Sequence, residues 1–542
     1  MLTAIINARC NSSRLPFKHF KKIGNKTVIE LIIDALKENK FIKEIYIATG
    51  SYSKNKKFKQ ELKHKYKNLN FFFYDKEDHV TERIFKLSKK ISTDYCVLIS
   101  GDCVLIDNSF ITRMYKKLSN NKDFDFIKAS KKVQHEGIKI FKTKAWEKVN
   151  RLSKNDIFQE NPGYITKIYP NKFKILKLIP QKYECGKSSR LSIDTKSDLD
   201  FFELIYQFLK KKNKEFNFQN SIKYNCLNRF KYINKHVHQK DPQKKNSKKI
   251  IIITCANKKF GFGHYRRSGV IEREISERFT SNIEKVLINS KKIEKNKLTK
   301  YLNLNKFLKY KFNNENYFII DLPNEILERI LNKLSKLKRL LIIDSKIHLK
   351  KALKIIPAMS VRSDKKKNFF AGKEMIILNR DIIKILALKK IKQFISKDNI
   401  ITMGGTFYKS NELEKLLEKQ KNIKIILGPH ISQSQRNYFV KKLNSKKIIF
   451  NPKNIIEILA NARKIYSKFG VTTYECISLN LKPIVFYADE VGDRLQEIKY
   501  LKKHKFINLF NNKIIDKSKK INVISNLFKI SKILEKFIYG SK

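Results

Sequence analysis

The sequence predicts an α/β protein whose domains each contain a largely parallel sheet. Short apolar runs of strand length alternate with longer amphipathic stretches of helix length over most of the 542 residues. A polar, basic, proline-containing stretch at 234–249 interrupts this alternation, and a new apolar run follows it at once. The chain is also longer than one hydrophobic core normally organises, so two or three domains are expected.

The alternation divides the chain into a domain at 1–233, a linker at 234–249 and two further α/β sets at 250–385 and 386–542. In the first domain, strands are expected at 2–6, 45–48, 71–74 and 95–100, with a helix at 27–36. In the later sets, strands are expected at 250–253, 317–321, 340–344 and 375–378, then at 400–403, 423–427, 448–450 and 483–487. Helices are expected between them, for example at 411–420 and 455–460. The two later sets are similar in size, which indicates two lobes with a cleft between them.

The formal net charge of +68 raises the question of nucleic-acid binding. Lysine greatly outnumbers arginine, and Lys, Asn and Ile, which are all abundant, share AT-rich codons. The lysines are also spread through every segment instead of forming a basic tail. A biased genome therefore accounts for the charge, and no specific nucleic-acid partner is expected.

The seven cysteines contain no Cys-x-x-Cys pair, which argues for reduced thiols and against a disulfide framework or a structural zinc site. The first apolar run begins at Leu2 and leaves no room for a signal peptide. No apolar run approaches the roughly 20 residues that a membrane span requires. We therefore expect a cytoplasmic protein.

A basic loop follows the first predicted strand and is the first candidate site. It carries Arg9, Arg14 and Lys18, with Ser12 among them, directly after Ala8. A triphosphate needs several cations and hydroxyl or amide donors that converge on one point, and this spacing supplies them. The alternative is a solvated basic loop.

Carboxylates at later strand ends weaken that alternative. Asp102 follows the predicted strand at 95–100, and open α/β sheets place metal ligands and substrates at such positions. Asp102 could hold Mg²⁺, an ion that takes one or two carboxylates together with phosphate oxygens. Asp194 and Asp198 form a further acidic pair, whereas Asp107 is expected to cap the helix that follows it.

These motifs resemble the cytidylyltransferases that activate acidic nonulosonate sugars, of the acylneuraminate and spore-coat polysaccharide type. The resemblance lies in four ordered segments at 8–18, 80–83, 101–107 and 194–198. It implies a nucleotide-diphospho-sugar transferase-like Rossmann-type domain that uses Mg²⁺. Three sets of residues are implied: Ala8, Arg9, Ser12, Arg14 and Lys18 for CTP, Asp102 and Asp194 for the metal, and Asp102, Asp194 and Lys18 for catalysis. Relatives usually have Gly at the positions of Asn11 and Phe17.

The second half contains the pattern Gly-x-Gly-His-x-x-Arg, in which Gly261, Gly263, His264 and Arg267 are the fixed residues. A dinucleotide fingerprint would have a third glycine where this chain has Arg266, so NAD binding is disfavoured. The glycines allow a nucleotide sugar to approach the backbone, and a neutral histidine beside it can act as a general base. The alternative for this histidine is a packing or capping role.

Two later small-residue turns are expected to contribute to the same cleft. Gly404, Gly405 and Thr406 follow one strand, and the segment 470–475 precedes a helix and includes Gly470, Thr472, Thr473 and Glu475. The helix start would direct amide donors at a diphosphate. Glu475 is expected near ribose hydroxyls, or otherwise as an ordinary acid of the first helical turn. Asp489 and Gln496 are candidates for the border of this cleft.

This half resembles the UDP-sugar hydrolase of pseudaminic acid biosynthesis, a relative of the two-lobed GT-B glycosyltransferases. The resemblance implies a GT-B-like module of two Rossmann-like domains, with the N-lobe at 250–385 and the UDP-binding C-lobe at 386–542. It makes His264 the base that activates water. The implied UDP-sugar contacts are Gly261, Gly263, His264, Arg267, Gly404, Thr406, Gly470, Thr472, Thr473 and Glu475.

The two resemblances together imply a bifunctional enzyme of pseudaminate-like or legionaminate-like sugar biosynthesis. Its expected partners are CTP with an acidic nine-carbon sugar and a UDP-linked amino sugar, with a homodimer as one option. Three alternatives remain open. The second half could be a UDP-sugar glycosyltransferase, the chain could be a basic nucleic-acid-binding protein, or one half could be a scaffold that binds nucleotide without turnover.

Overall fold

The computed structural model describes the residues 1–134, 138–185, 190–239, 249–279, 282–290, 298–347, 349, 351–364, 368–392, 398–404, 411–419, 422–486, 494–510 and 521–539. Residues 240–248 of the predicted linker, and the candidate residues Gly405, Thr406 and Asp489, lie outside these ranges. The chain divides into two compact units, Met1–Lys245 and Asn246–Lys542. No helix in the described ranges is both long enough and apolar enough to cross a membrane.

The first unit contains a seven-stranded mixed sheet and a small hairpin. The strands are β1 (Leu2–Asn7), β2 (Lys22–Ile23), β3 (Lys26–Thr27), β4 (Ile42–Thr49), β5 (Leu69–Phe73), β6 (Tyr95–Ser100), β7 (Phe126–Ala129), β8 (Lys139–Lys142) and β9 (Ile175–Leu178). The sheet order is β5-β4-β1-β6-β8-β7-β9, and β2 pairs with β3 in the hairpin. Strand β8 runs antiparallel to both of its neighbours, whereas β5, β4, β1 and β6 are parallel.

Helices pack against this sheet, and its central strands β1 and β6 are buried and mostly apolar. The helices of the first unit are α1 (Val28–Lys37), α2 (Tyr52–Asn55), α3 (Lys57–Leu62), α4 (Val80–Ser88), α5 (Asn108–Ser119), α6 (Ala145–Leu152), α7 (Asp156–Glu160), α8 (Ile165–Ile168), α9 (Lys196–Lys211), α10 (Phe218–Lys223) and α11 (Cys226–Phe230). On one face, Trp146 of α6 packs with Phe126, Phe141 and Leu98 of the sheet. The carboxyl ends of β1 and β6 lie side by side, because Asn7 pairs with Ser100.

The second unit begins with a seven-stranded sheet that is parallel throughout. Its strands are β10 (Lys249–Thr254), β11 (Asn282–Ile288), β12 (Thr299–Leu302), β13 (Tyr317–Asp321), β14 (Leu340–Ile343), β15 (Leu353–Ile356) and β16 (Phe369–Ala371), in the order β12-β11-β10-β13-β14-β15-β16. The helices in this part are α12 (Gly263–Arg278), α13 (Leu304–Lys309) and α14 (Asn324–Leu334).

A six-stranded parallel sheet follows in the same unit. Its strands are β17 (Asn399–Thr402), β18 (Ile423–Leu427), β19 (Ile448–Phe450), β20 (Lys464–Lys468), β21 (Ile484–Phe486) and β22 (Asn508–Leu509), in the order β19-β18-β17-β20-β21-β22. The helices are α15 (Asp381–Ile391), α16 (Asn411–Lys419), α17 (Gln433–Leu443), α18 (Ile455–Asn461), α19 (Val471–Ser478), α20 (Leu495–Lys503) and α21 (Val523–Tyr539). The last helix returns to the first sheet of the unit, where Ile530 and Leu534 pack with Ile250 and Ile252 of β10.

The expected α/β alternation is confirmed, but the strand predicted at 375–378 is wrong. Met375 ends a 3₁₀ turn, and the residues after it pair with no strand among the described ranges. The side chain of Asn526 in α21 donates hydrogen bonds to the backbone oxygens of Lys373 and Ile376. The segment 375–378 is buried, as the prediction required. The carbonyl oxygen of Ile376, however, accepts its hydrogen bond from a side chain and not from a neighbouring strand.

The expected helix cap at Asp107 is confirmed and leads to a prediction about stability. The Asp107 carboxylate accepts hydrogen bonds from the backbone N–H groups of Ser109 at 3.1 Å and Phe110 at 3.2 Å. We expect Asp107→Ala to lower the free energy of unfolding of the first unit by about 1–2 kcal/mol. Urea unfolding followed by circular dichroism measures this change. The control is Asp123→Ala, because Asp123 is exposed beyond the end of α5; equal stability of both variants would contradict a capping role.

Candidate functional site

Three distant segments of the first unit converge on the side chain of Lys18. The Lys18 ammonium lies 2.5 Å from Asp102 Oδ2 and 2.9 Å from Asp194 Oδ1. Asp102 follows the end of β6, and Asp194 immediately precedes Thr195, the N-cap of α9. The three side chains are mostly buried. The two carboxylates that the sequence analysis paired as metal ligands therefore meet around one cation at the carboxyl edge of the sheet.

Asp194 binds two further cations. Its Oδ2 atom lies 3.0 Å from Arg14 Nη2 and also accepts a hydrogen bond from Arg190, whose Nε donates to Asp198 at 3.1 Å. Burial alone would raise the pKa of Asp194, but Lys18, Arg14 and Arg190 together lower it to about 2. Likewise, burial opposes the charge of Lys18, but Asp102 and Asp194 raise its pKa to about 12. Both groups therefore remain ionised at neutral pH.

Gly101 and His19 fix the position of Asp102. A Cβ atom on Gly101 would lie 2.7 Å from Ala8 Cβ and 2.9 Å from the Asn7 carbonyl oxygen, so only glycine allows the ends of β6 and β1 to approach this closely. The His19 ring donates from Nδ1 to the Gly101 carbonyl oxygen at 2.6 Å. Burial and the neighbouring Lys18 lower the pKa of His19 to about 4, so the ring is neutral at neutral pH. His19 thereby ties the turn that carries Lys18 to the turn that carries Asp102.

The predicted CTP residues do not all join this cluster. Arg14 and Lys18 do, but Arg9 forms an ion pair with Asp78, and its Nη2 lies 3.5 Å from Glu160 Oε1. Ser12 Oγ accepts a 3.4 Å hydrogen bond from the backbone of Leu15, within its own loop.

Phe17 occupies a position where the resembled family usually has glycine. Its φ of 54° lies in the left-handed region that normally favours glycine. Its ring is half exposed and lies 5.3 Å from the Lys57 ammonium. The loop thus keeps a backbone geometry suited to glycine while a large side chain stands at its surface.

Sequence reasoning missed His19 and the role of Arg190, and it gave Asp198 no role of its own. Asp198 Oδ2 accepts hydrogen bonds from the backbone N–H groups of Asp194 and Thr195, both at 3.0 Å, which is a helix-capping arrangement. Arg190 stands four residues before Asp194. That spacing, an arginine four residues before an aspartate, was the signal available in the sequence.

The donor set is suited to Mg²⁺, although the described residues contain no group of three metal-ligating side chains. Mg²⁺ is bound by hard oxygens, often one or two carboxylates with substrate phosphates completing the coordination. Asp102 and Asp194 provide two such carboxylates, and both already face one positive charge, the Lys18 ammonium. Asp102 Oδ1 is held by Ser100 Oγ at 2.6 Å, which orients the carboxylate.

The second unit contains a cavity of about 500 Å³ against which His264 lies. Its wall includes the ends of strands β17 and β18, the predicted residues Gly261, Gly263 and Gly404, and the start of α19 at Gly470 and Thr472. Five cations line it, Lys259, Arg266, Arg267, Lys468 and Arg494, and no carboxylate is found among the described lining residues. The helices α12 and α19 also begin at this wall, so their positive ends add to the attraction for an anion.

His264 is part of a buried network that the sequence did not reveal. Its Nδ1 lies 2.6 Å from Oδ1 of Asp321, at the end of β13, and Arg267 bonds both oxygens of that carboxylate at 2.7 and 3.0 Å. Arg267 also pairs with Asp344 at 2.8 Å. Arg267 Nη2 also lies 3.0 Å from Nδ1. A carboxylate accepts hydrogen bonds, so the tautomer of a neutral ring that places its proton on Nδ1 suits Asp321 and has its lone pair on Nε2. The signal available in the sequence was an aspartate at each of two neighbouring strand ends.

Two residues of the predicted UDP-sugar set do not line the 500 Å³ cavity. Glu475 does not line the 500 Å³ cavity, because both of its oxygens bind Arg266 Nη2, at 2.7 and 2.8 Å. It is not an acid of the first turn either, since α19 begins at Val471. Thr473 is fully buried, and its hydroxyl accepts a 3.2 Å hydrogen bond from the Gly470 N–H, so it caps the helix. Thr472 does reach the cavity.

Comparisons with known proteins find similarity in the first unit. Residues 3–233 match the family model described as Cytidylyltransferase, which supports the resemblance to cytidylyltransferases, whereas the nonulosonate type of substrate stays a prediction. Uncharacterized protein MJ1063 of Methanocaldococcus jannaschii is 27% identical over 201 residues, covering 37% of this chain and 81% of that protein. Uncharacterized protein MJ1062 of the same organism is 26% identical over 287 residues, covering 47% of this chain and 58% of that protein. A solved cytidylyltransferase from Leptospira borgpetersenii is 21% identical with a TM-score of 0.37, covering 42% of this chain and 96% of that one.

The charges around Asp194 predict how stability depends on pH. Because the folded-state pKa of Asp194 is about 2 and that of an unfolded Asp is about 3.9, ionisation stabilises the fold above pH 4. That contribution is lost as the pH falls from about 4 through about 2. We expect Asp194→Asn to be less stable than the wild type by roughly 2 kcal/mol at pH 6, with a difference that shrinks below pH 4.

Urea unfolding of both proteins between pH 7 and pH 2.5 measures the difference, with Asp123→Asn as an exposed control. A difference that stays the same from pH 6 to pH 2.5 would show that the cations around Asp194 do not stabilise its charge.

Proposed function

We propose that the first unit transfers a cytidylyl group from CTP to a hydroxyl group of an acidic nine-carbon sugar, with release of pyrophosphate. The observation that carries this proposal is the convergence of Lys18, Asp102 and Asp194 at one sheet edge, inside the region that matches the Cytidylyltransferase model. The choice of a nonulosonic acid of the pseudaminate or legionaminate kind rests on the motif resemblance described above.

The cations of this site would change partners when the nucleotide binds. Lys18 and Arg14 are held by carboxylates in the structure and would turn towards the phosphate oxygens. Asp102 and Asp194 would then hold Mg²⁺, which when bound neutralises charge on the phosphates. The sugar hydroxyl oxygen would form a bond to the α-phosphorus and give up its proton to water, as the bond to the β-phosphate breaks and pyrophosphate leaves. Positioning and charge neutralisation account for such a reaction without a covalent nucleophile.

His19 has a positioning role in this proposal. Its neutral ring is buried and bonded to the Gly101 carbonyl oxygen, so it holds the two turns in register. It is not expected to exchange a proton with the substrate.

The transfer is tested by supplying CTP, Mg²⁺ and a panel of nonulosonic acids, and by measuring pyrophosphate together with the CMP-sugar. We expect product with at least one acid, and a fall in kcat of about 10²-fold or more for Asp102→Asn, because a charge at the reacting centre is removed. The exposed Asp123→Asn variant is the control and should retain full activity. The absence of pyrophosphate with every acid would remove this proposal.

We propose for the second unit a GT-B-like hydrolysis of a UDP-linked amino sugar. The supporting observation is that Asp321 engages His264 Nδ1, which leaves Nε2 as a base beside a cavity whose charged lining residues are all cations. Water would give a proton to Nε2 and attack the anomeric carbon, and the bond to the UDP oxygen would break. The diphosphate would lie against the cations and the starts of α12 and α19. A glycosyltransferase, in which an acceptor hydroxyl replaces water, is the second candidate.

Incubation with UDP-sugars, with and without acceptor sugars, separates the two candidates, because free UDP in water alone favours hydrolysis. We expect His264→Asn to lower kcat by about 10²-fold or more, since a general base contributes on this scale. Asp321→Asn should lower kcat less and shift its pH profile, because the amide no longer favours a proton on Nδ1. The control is His504→Asn, because His504 follows α20 and does not line the 500 Å³ cavity. This variant should release UDP at the rate of the wild type. Unchanged UDP release in His264→Asn would exclude this histidine as the base.

A further inference from the structure

A second cavity of the second unit lies against the same histidine as the 500 Å³ cavity. It has a volume of about 570 Å³, and His264 and Arg267 belong to the walls of both cavities. The two walls differ in charge. The described lining of the 500 Å³ cavity contains no carboxylate, whereas that of the 570 Å³ cavity contains Asp344 and Glu497. A group that carries hydrogen-bond donors is therefore better suited to the 570 Å³ cavity than a phosphate is.

Asp344 is the carboxylate of this wall that is available to a ligand. Both oxygens of Glu497 are occupied, because they accept hydrogen bonds from the backbone N–H groups of Met359 and Ser360, each at 2.8 Å. Asp344 Oδ2 pairs with Arg267 Nη1 at 2.8 Å, and no described residue donates a hydrogen bond to its Oδ1. The side chain of Asp344 is 28% exposed. Burial alone would raise the pKa of Asp344, but the Arg267 guanidinium lowers it, so the group is an ionised acceptor at neutral pH.

The backbone fixes Asp344 in the wall of the cavity. The residue follows the end of β14, and its φ of 56° lies in the left-handed region that normally favours glycine. Its N–H donates a 2.9 Å hydrogen bond to the Ile355 carbonyl oxygen of β15, so the sheet holds this turn. Aspartate and asparagine tolerate the left-handed region better than most side chains. A substitution of Asp344 by asparagine is therefore expected to keep the turn.

Asn324 supplies a donor beside this acceptor. It is the first residue of α14, and it lines the 570 Å³ cavity. Its Oδ1 accepts hydrogen bonds from Ser345 Oγ at 3.0 Å and from the Lys346 N–H at 3.1 Å, and these are the two residues that follow Asp344. Because a backbone N–H can only donate, the atom that faces Lys346 is the amide oxygen. No described residue accepts a hydrogen bond from Asn324 Nδ2, so this donor is available to a ligand.

We propose that the 570 Å³ cavity binds the sugar group of the UDP-sugar, and that Asp344 and Asn324 select a sugar with an acylamino substituent. This inference rests on the reaction proposed for the second unit. With the diphosphate among the cations of the 500 Å³ cavity, the anomeric carbon would lie beside His264, in the wall that the two cavities share. An acylamino group carries one N–H donor for Asp344 and one carbonyl acceptor for Asn324. A hydroxyl group has only a single polar atom to offer to the two residues.

The selectivity is tested by calorimetric binding of pairs of UDP-hexoses that differ only in an acetamido or a hydroxyl group at one ring carbon. His264→Asn is the host protein, because it should consume the ligand slowly. We expect the acetamido form of at least one pair to bind about tenfold or more tightly than its hydroxyl form, the size of one charged hydrogen bond. Asp344→Asn, added to the host, should lose most of this preference. UDP alone should bind both proteins with affinities within about twofold, because Asp344 lies outside the 500 Å³ cavity.

Asn324→Asp supplies an independent variant, and Asp398→Asn is the matched control. Asn324→Asp keeps an oxygen for Ser345 and Lys346 but removes the amide donor, so it should also lower the preference for the acetamido form. Asp398 resembles Asp344 in its environment, because its side chain is 32% exposed and pairs with a cation, but it lines neither cavity. Asp398→Asn should therefore keep the preference of the host.

The outcomes separate this inference from the proposed reaction. A wild type that releases no UDP from any UDP-sugar would remove the reaction, and the binding measurements would still decide which sugar group the cavity takes. Equal binding of both forms in every pair, or no binding of any of them, would overturn the inference. A preference that Asp344→Asn and Asn324→Asp both retain would overturn it as well. The same holds if Asp344→Asn weakens the binding of UDP alone as much as that of the acetamido sugar, because the substitution would then act through Arg267 on the 500 Å³ cavity.

Discussion

The sharing of one ammonium group by two carboxylates is the constraint on which the first unit depends. Lys18 comes from the loop after β1, Asp102 from the end of β6 and Asp194 from the start of α9, so this contact joins segments up to 176 residues apart in sequence. Each of these charges would be costly to bury alone, and each is compensated by the others. The loop, the strand end and the helix start are therefore held in one arrangement by charge balance as well as by packing. Gly101 makes the arrangement sterically possible, because the two strand ends could not meet around a larger residue.

The sequence was most informative where strands are buried on both faces, as in β1, β6, β10 and β13, because such strands are continuous apolar runs. It was least informative where charged residues enter a strand. Strand β11 contains Glu284, which pairs with Lys249 and Lys300 from other strands, and the pairing lets a charged residue lie within a sheet. Partners that come from other strands cannot be read from the local pattern. Strand β8 escaped notice for a related reason, since two of its four residues are lysines.

In the candidate sites, too, the sequence did not show which distant residues become partners. The resemblance to the cytidylyltransferases grouped Lys18, Asp102 and Asp194, and Asp102 could also be placed at the site from its position after a strand, because strand ends and loops of a parallel sheet meet at one edge. It could not indicate that Glu475 is neutralised by Arg266, a residue 209 positions away, or that Asp321 orients His264. Both facts depend on which strand ends and helix starts become neighbours after folding. Spacing predicts local convergence well, whereas the distant residue that completes a charge network has to be seen in the structure.

The two candidate sites differ in where the carboxylates that balance their cations lie. In the first unit, Asp102 and Asp194 face Lys18, so the charge of this cation is already compensated. In the function that we propose, Lys18 would turn to a phosphate once the carboxylates gained another positive partner. In the second unit, the carboxylates that balance Arg266 and Arg267 are absent from the described lining of the 500 Å³ cavity, so its charged lining residues are cations. A diphosphate would be attracted there without any exchange of partners. The arrangement in the first unit suits the metal-assisted transfer that we propose for it, because that site holds its positive charge in contact with the groups that would hold a metal ion.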